Sequence, residues 1–349
     1  MEVEKTENLP VETNQLDIFS LLDKDDMNYS STVELYDAIP LYVFQRTLKQ
    51  QNFIEKEFTH KKKRYKVKLE PAFVNREGSQ KIKYPGAREE LVEQVLRKLA
   101  CEGQAIVRGN LVGVVFSLYQ VYNDLKIMGH TFSYEEIKEA IYVCRKTGIE
   151  LTSLSQDNKK TVSVENIFVR MGIASEQGED SDDDHISYQG QKEWVFIIFH
   201  PLVTESILVE KSFRQINYNK YMGLKKYLAR WLFKKMNHNY IQAEYQSGND
   251  YHLSLDEIVE GSGITRYKAI SNTIREVEKA LKELVEKDIL EKYEIDKKKF
   301  KRSKKIVDAV FHLYPSWSFA KDMKRANAKA KTIRGESGRD RIKKILNYG

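Results

Sequence analysis

Six polar residues between Arg266 and Lys279 have the types and the spacing to read DNA. Arg266, Lys268, Ser271, Asn272, Arg275 and Lys279, with Tyr267 beside them, share one face of an expected helix. They supply guanidinium forks, an amide, a hydroxyl and ammonium groups, the mixture that contacts base edges and phosphates in a major groove. The other face of the same helix carries Ile270, Ile274, Val277, Leu281 and Leu284 at alternating steps of four and three, a stripe to be buried. Downstream, Lys297, Lys298, Lys299, Lys301, Arg302, Lys304 and Lys305 place seven cations in nine positions. A loop of that charge is excluded from a core and suits a phosphate backbone.

A complete winged helix-turn-helix is expected over His252 to Pro315 to position these groups. Ser254-Leu-Asp-Glu257 is a capping box that opens a short helix, Gly261-Ser-Gly263 breaks it, and Thr265 is expected to cap the longer reading helix. Ile289 to Ile295 and Ile306 to Leu313 read as the two strands of the wing, with Val307, Ala309, Phe311 and Leu313 on one face.

A second unit of the same kind lies upstream. A strand is expected from Tyr65 to Val74, with Lys81 to Tyr84 pairing to it before the Pro85-Gly86 turn, then a helix from Arg88 to Ala100. Val115 to Met128 is expected as a helix stopped by Gly129, and Ser133-Tyr-Glu-Glu136 caps the next. That next helix would bury Ile137, Ile141 and Cys144 and offer Tyr134, Lys138, Tyr142, Arg145 and Lys146 to DNA. Strands follow at Ile149 to Thr152, Thr161 to Arg170 and Glu193 to Phe199, with the acidic run 176–184 as a solvated hairpin tip. In a further helix, Leu224 to His238, the residues Lys226, Arg230 and Lys234 recur every four positions, a basic row able to track phosphates or simply to be solvated.

The charge distribution agrees with a polyanion partner. The net charge is +7, yet residues 1–40 hold ten acids against two bases and residues 296–349 hold seventeen bases against five acids. A hydrophobic fraction of 41% excludes wholesale disorder. Cys101 and Cys144 are too few for a metal framework, and no apolar run approaches the roughly 18 residues of a membrane span. No leader segment is recognisable, so a bacterial cytoplasmic location is expected.

Catalysis is not expected, and no cofactor or metal. The chain lacks the Gly-x4-Gly-Lys-Ser/Thr phosphate loop, and its histidines, His60, His130, His185, His200, His238, His252 and His312, form no pair around one apolar residue. None of its twenty tyrosines has an evident activating partner nearby in sequence.

Trp194-Val-Phe-Ile-Ile-Phe-His-Pro201, Phe213 to Tyr218, Leu224 to Phe233 and Leu253 to Leu313 resemble iteron-binding plasmid replication initiators with two winged-helix domains. Gly113 to Tyr119 and Gly129 to Glu150 are most similar to the broad-host-range branch. In the acidic head, Gln15-Leu-Asp-Ile-Phe19 resembles the motif that docks bacterial replication proteins on the sliding clamp, with Gln15, Leu16 and Phe19 as anchors; packing on the body of the protein is the competing reading. The resemblance implies binding to repeated sites in double-stranded origin DNA and opening of an A·T-rich duplex to single strands. It further implies recruitment of the clamp, the host initiator and the replicative helicase, and a monomer–dimer equilibrium.

The expected fold class is therefore α+β and helix-rich: tandem winged helix-turn-helix domains with an N-terminal acidic arm and a basic C-terminal tail. The expected divisions are a disordered arm over 1–40, a first domain with an N-terminal extension over 41–240, a second over 241–320, and a tail over 321–349. The alternative function is a winged-helix transcriptional regulator, and a third is a chromosome-partitioning protein of weak sequence preference.

Overall fold

Alternation and capping divide the chain into short helices and antiparallel strands. The computed structural model describes residues 29–44, 51–76, 79–108, 111–154, 159–174, 194–208, 213–240, 251–299 and 306–334. In chain order the elements begin with β1 (Tyr29–Val33), α1 (Glu34–Ala38), β2 (Ile54–His60), β3 (Lys63–Glu70), β4 (Ala72–Arg76) and β5 (Ser79–Lys83). Then come α2 (Ala87–Leu99) with a π-helical turn over Ala100–Gln104, β6 (Ala105–Arg108), β7 (Leu111–Ser117), α3 (Leu118–Ile127) and α4 (Tyr134–Lys146). β8 (Gly148–Leu154), β9 (Lys159–Asn166), β10 (Phe168–Ala174), β11 (Trp194–Phe199), α5 (Pro201–Leu208), β12 (Phe213–Asn217) and α6 (Tyr218–Met222) complete the first half.

The second half contains α7 (Tyr227–Asn239), β13 (Tyr251–Ser254), α8 (Leu255–Ser262), α9 (Ile270–Glu286), β14 (Leu290–Lys299), β15 (Ile306–Pro315) and α10 (Trp317–Arg334). The larger sheets run β2-β3-β8-β9, β10-β11-β7-β6 and β13-β15-β14, with smaller pairs β1-β12 and β4-β5. One continuous apolar cluster reaches from Val33 to Ala326 and takes in both halves.

Several expected elements are divided differently. The run Tyr65 to Val74 is two strands, because Pro71 interrupts the ladder between β3 and β4; β5 does pair with β4, Val74 opposite Lys81. Thr161 to Arg170 is likewise two strands in different sheets, split at the buried Ile167. Val115 to Ser117 is strand rather than helix. Val112, Val114 and Phe116 alternate into the core, and Ser117 caps α3 in a capping box with Gln120.

Both ends of the described chain are tied into the body. Tyr29–Ala38, assigned by sequence to the arm, form β1 and α1, with Val33 and Tyr36 buried. Much of the assigned tail is α10, whose Phe319, Met323 and Ala326 are buried. Asp322 on α10 accepts from Tyr29 Oη and Asn217 Nδ2, both at 3.1 Å, and pairs with Lys220 Nζ at 3.0 Å. The clamp-like segment Gln15, Leu16 and Phe19, the acidic run 176–184 and residues 335–349 lie outside the described residues.

Candidate nucleic-acid interface

Ser254 caps α8 as its capping box predicts, accepting from Glu257 N at 3.2 Å while Glu257 Oε2 accepts from Ser254 N at 2.8 Å. Gly263 ends that helix in the left-handed region at φ 69°, where a side chain would be strained. Gly261 packs so closely on Trp231 of α7 that an added Cβ would sit 2.5 Å from the indole. The turn between α8 and α9 is thereby pinned to α7.

The expected cap at Thr265 does not form. α9 starts five residues later with Ala269 at its N-cap, because buried Ile264 and the Tyr267 N–H, which donates to Thr273 Oγ1 at 3.0 Å, hold 264–269 as a turn. Arg266, Tyr267 and Lys268 are exposed in that turn rather than on the helix, and Arg266 is ion-paired to Asp256.

From its first turn onward α9 divides as its periodicity requires. Ile274, Val277, Leu281 and Leu284 are buried and Ile270 is half-buried, while Ser271, Asn272, Arg275 and Lys279 are exposed. Buried Glu283 fixes the helix from behind: its two carboxylate oxygens accept from Lys225 N at 2.5 Å and Lys226 N at 3.1 Å, capping the N-terminus of α7. The exposed face carries only weak internal contacts. Arg275 Nη1 reaches Asn272 Oδ1 at 3.3 Å and Lys279 pairs with Glu276 at 2.8 Å. Exposed pairs of this kind are worth about 0–1 kcal/mol and exchange readily for phosphate or base contacts.

Beside α9, β14 and β15 form a long antiparallel hairpin on which Lys297, Lys298 and Lys299 are exposed, Lys298 facing Asp308 at 3.2 Å. Lys301, Arg302, Lys304 and Lys305 lie outside the described residues. Ala309, Phe311 and Leu313 pack inward as expected, whereas Val307, near the free end of the hairpin, is 40% exposed because the core does not reach it.

Two other expected contact surfaces are largely covered, with Lys146 on α4 and Lys226 at the start of α7 left exposed. On α4, Lys138 is buried and pairs with Glu135 at 3.4 Å, Tyr134 stacks on Tyr122 with centroids 4.7 Å apart, and Tyr142 packs against Ala72, Val74 and Val143. The β4–β5 hairpin thus lies over the helix, and Arg145 is half-buried with its carbonyl accepting from Asn166 Nδ2 at 2.7 Å. In the basic row of α7, Arg230 and Lys234 point inward while Lys226, at its N-cap, stays exposed. Arg230 is 1% exposed on Glu90, Lys234 pairs with Asp37 at 3.5 Å, and Lys226 faces Glu283 at 3.5 Å. A spacing of four reports only that residues share a face; here that face turns toward the acids of α1 and α2.

Asp37 sits at the centre of this packing with Arg97, Lys234 and His238. Burial alone would raise its carboxyl, yet Arg97, Lys234 and His238 together hold it well below the usual range. The buried tyrosines show the opposite shift. Burial and nearby carboxylates push Tyr42, Tyr218 and Tyr221 upward, with hydroxyls donated to Glu93, Asp124 and Glu90, the reverse of what a nucleophilic Tyr needs. Among the described residues no cluster of His, Cys, Asp and Glu could hold a metal ion, and no helix is long and apolar enough to cross a membrane.

Sequence reasoning misses one basic element. His60-Lys61-Lys62-Lys63-Arg64 forms the closed end of the β2–β3 hairpin, and the signal was five consecutive basic residues between two alternating segments.

No family model matches the chain, and no curated protein matches it. Among solved structures, domains 2 and 3 of RctB are similar over 80% of this chain and 97% of that one, at 12% identity and a TM-score of 0.48. A second structure of RctB domains 2–3 covers 84% and 99%, at 12% identity and a TM-score of 0.45. The Pi initiator protein in complex with iteron DNA covers 66% and 91%, at 13% identity and a TM-score of 0.43.

Proposed function

We propose that the chain is a plasmid replication initiator built on tandem winged helices, which binds repeated double-stranded origin sites through α9 and the β14–β15 wing. One observation carries the reading: α9 presents Ser271, Asn272, Arg275 and Lys279 to solvent, next to a lysine-rich hairpin, while its other face is anchored in the core. Helix and wing together supply base readout and phosphate positioning. Arg266, Tyr267 and Lys268, exposed just ahead of the helix, extend this surface.

Duplex opening follows from binding energy rather than nucleotide hydrolysis. A specific complex gains roughly 4–10 kcal/mol over non-specific binding, and unstacking costs a few kcal/mol per step, so several copies on adjacent sites suffice. Gln15, Leu16 and Phe19 serve as the clamp-docking segment, host initiator and helicase join at the opened strands, and a monomer–dimer equilibrium sets the active form. The protein acts in the bacterial cytoplasm without enzymatic activity of its own.

The test is a plasmid carrying only this gene and its flanking DNA. Replication that depends on the gene, with footprints over repeated flanking sites, is expected. Footprints without replication would identify a transcriptional regulator and overturn the reading.

A further inference from the structure

We propose that the closed end of the β2–β3 hairpin, Lys61 to Lys63, is a second phosphate-binding element that holds duplex DNA beside the segment read by α9. The inference rests on the reading of this chain as a DNA-binding protein and adds a contact outside both helix-turn-helix units.

Charge bookkeeping along the hairpin separates its body from its tip. In the body, cations and acids alternate and neutralise one another: Lys66 pairs with Glu55 at 2.7 Å, Arg64 with Glu57 at 2.6 Å and Lys68 with Glu70 at 2.8 Å. At the tip Lys61 pairs with Glu34 at 2.8 Å, but neither Lys62 nor Lys63 has an acid within ion-pair distance among the described residues, and both are exposed. Burial lowers His60 to about 4, opposed by Glu34 and aided by Lys61 and by Lys235 of α7. His60 is thus neutral at pH 7 and adds no charge to the tip.

The backbone supplies an independent argument. His60 is paired to Lys63, so Lys61 and Lys62 form a two-residue turn, and both have positive φ, 48° and 66°. Such primed turns favour Asn-Gly, since a side chain in the left-handed region is strained. Two lysines therefore stand where the fold alone would select other residues, and strain of this kind is a mark of a functional position.

The element also meets a need of the first half of the chain. The face of α4 that the sequence offered to DNA lies under the β4–β5 hairpin, with Lys138 buried. β2 packs against the DNA-reading half: Lys56 Nζ, held by the carbonyls of Pro40 at 3.0 Å and Tyr42 at 3.3 Å, lies 3.0 Å from where a Cβ on Gly263 would sit. Gly263 opens the turn into α9, so hairpin and reading helix are joined through a packed contact.

The test uses the full chain and two duplexes, one limited to the footprinted site and one with about 15 base pairs of flank on each side. The double variant Lys61→Asn with Lys62→Gly installs the relaxed turn. It is expected to melt no lower than the parent, to bind the flanked duplex about tenfold more weakly, and to reduce the slope of log affinity against log salt by about two, at roughly 0.9 per lost phosphate contact. Base preference should be unchanged. Lys63→Ser, at an ordinary strand position, should reduce the slope by about one and serves if the double variant folds poorly. Unchanged affinity and slope on the flanked duplex in both variants would overturn the proposal, as would loss of binding to phosphatidylglycerol vesicles with DNA binding intact. Arg275→Ala is the control for the underlying reading: if it leaves specific binding untouched, α9 is not the reading helix, whatever the hairpin variants do.

Discussion

Arg230 and Glu90 form a buried ion pair between α7 and α2, in which Nε and Nη2 of the guanidinium both donate to Oε2, at 3.0 and 2.7 Å. Tyr221 donates its hydroxyl to the other carboxylate oxygen at 2.8 Å, and Arg230 Nη1 donates to the carbonyls of Leu224 at 2.9 Å and Lys225 at 3.0 Å. A guanidinium cannot shed its proton, so its removal from water is tolerated only because these acceptors surround it. The pair is part of the packing that carries α9, since the same segment, Lys225 and Lys226, donates its N–H groups to Glu283.

Arg230→Ala should therefore act on the fold and not on DNA affinity. Removing one partner of a buried pair leaves an uncompensated carboxylate and costs about 3–5 kcal/mol. A lowered urea midpoint with an unchanged salt slope for DNA binding is expected. A stable variant with a reduced slope would return Arg230 to the DNA surface.

Base readout is predicted to depend on the exposed face of α9. Asn272→Ala and Arg275→Ala should each lose about 1–3 kcal/mol at the specific site while binding to random duplex is largely kept. Both residues are exposed, so melting should barely change. Equal losses on specific and random DNA would remove α9 from base recognition.

The wing should behave in the opposite manner. Lys297→Ala together with Lys299→Ala is expected to weaken binding to every sequence and to lower the salt slope by about one unit per lost contact. These two are chosen because Lys298 already faces Asp308. A slope that does not move would leave the hairpin as solvated structure only.

How legible this site was in the sequence follows from the range of the signals. Ser254 to Glu257, Ser133 to Glu136 and the buried stripe of α9 were legible because capping and helical periodicity are local. Strand breaks at Pro71 and Ile167 were less so, since alternation continues across them and only sheet membership separates the pieces. Exposure of Lys138, Arg230 and Lys234 was illegible for a different reason. Whether a basic face meets solvent or a carboxylate depends on partners distant in sequence, such as Asp37 and Glu90.

Acid sensitivity is predicted from His200 and His60, both lowered by burial to about 4, with Glu34 opposing the shift at His60. His200 is fully buried at the start of α5, where its Nδ1 accepts from Leu202 N at 3.1 Å, a bond that only the ring unprotonated at that nitrogen can make. With a folded pKa below the unfolded value of about 6.5, unfolding takes up protons between the two, so stability falls as pH falls through that window. His200 should contribute a loss of about 2 kcal/mol between pH 7.5 and pH 5, above the range where ordinary carboxylates titrate, and the less deeply buried His60 a smaller one because solvent screens it. His200→Asn keeps an acceptor for Leu202 N–H and removes one titration, so urea midpoints measured from pH 7.5 to 5 should decline less than the parent's, with His60 and His130, also lowered by burial, still contributing. A decline equal to the parent's would show that His200 is not one of the groups protonated on unfolding.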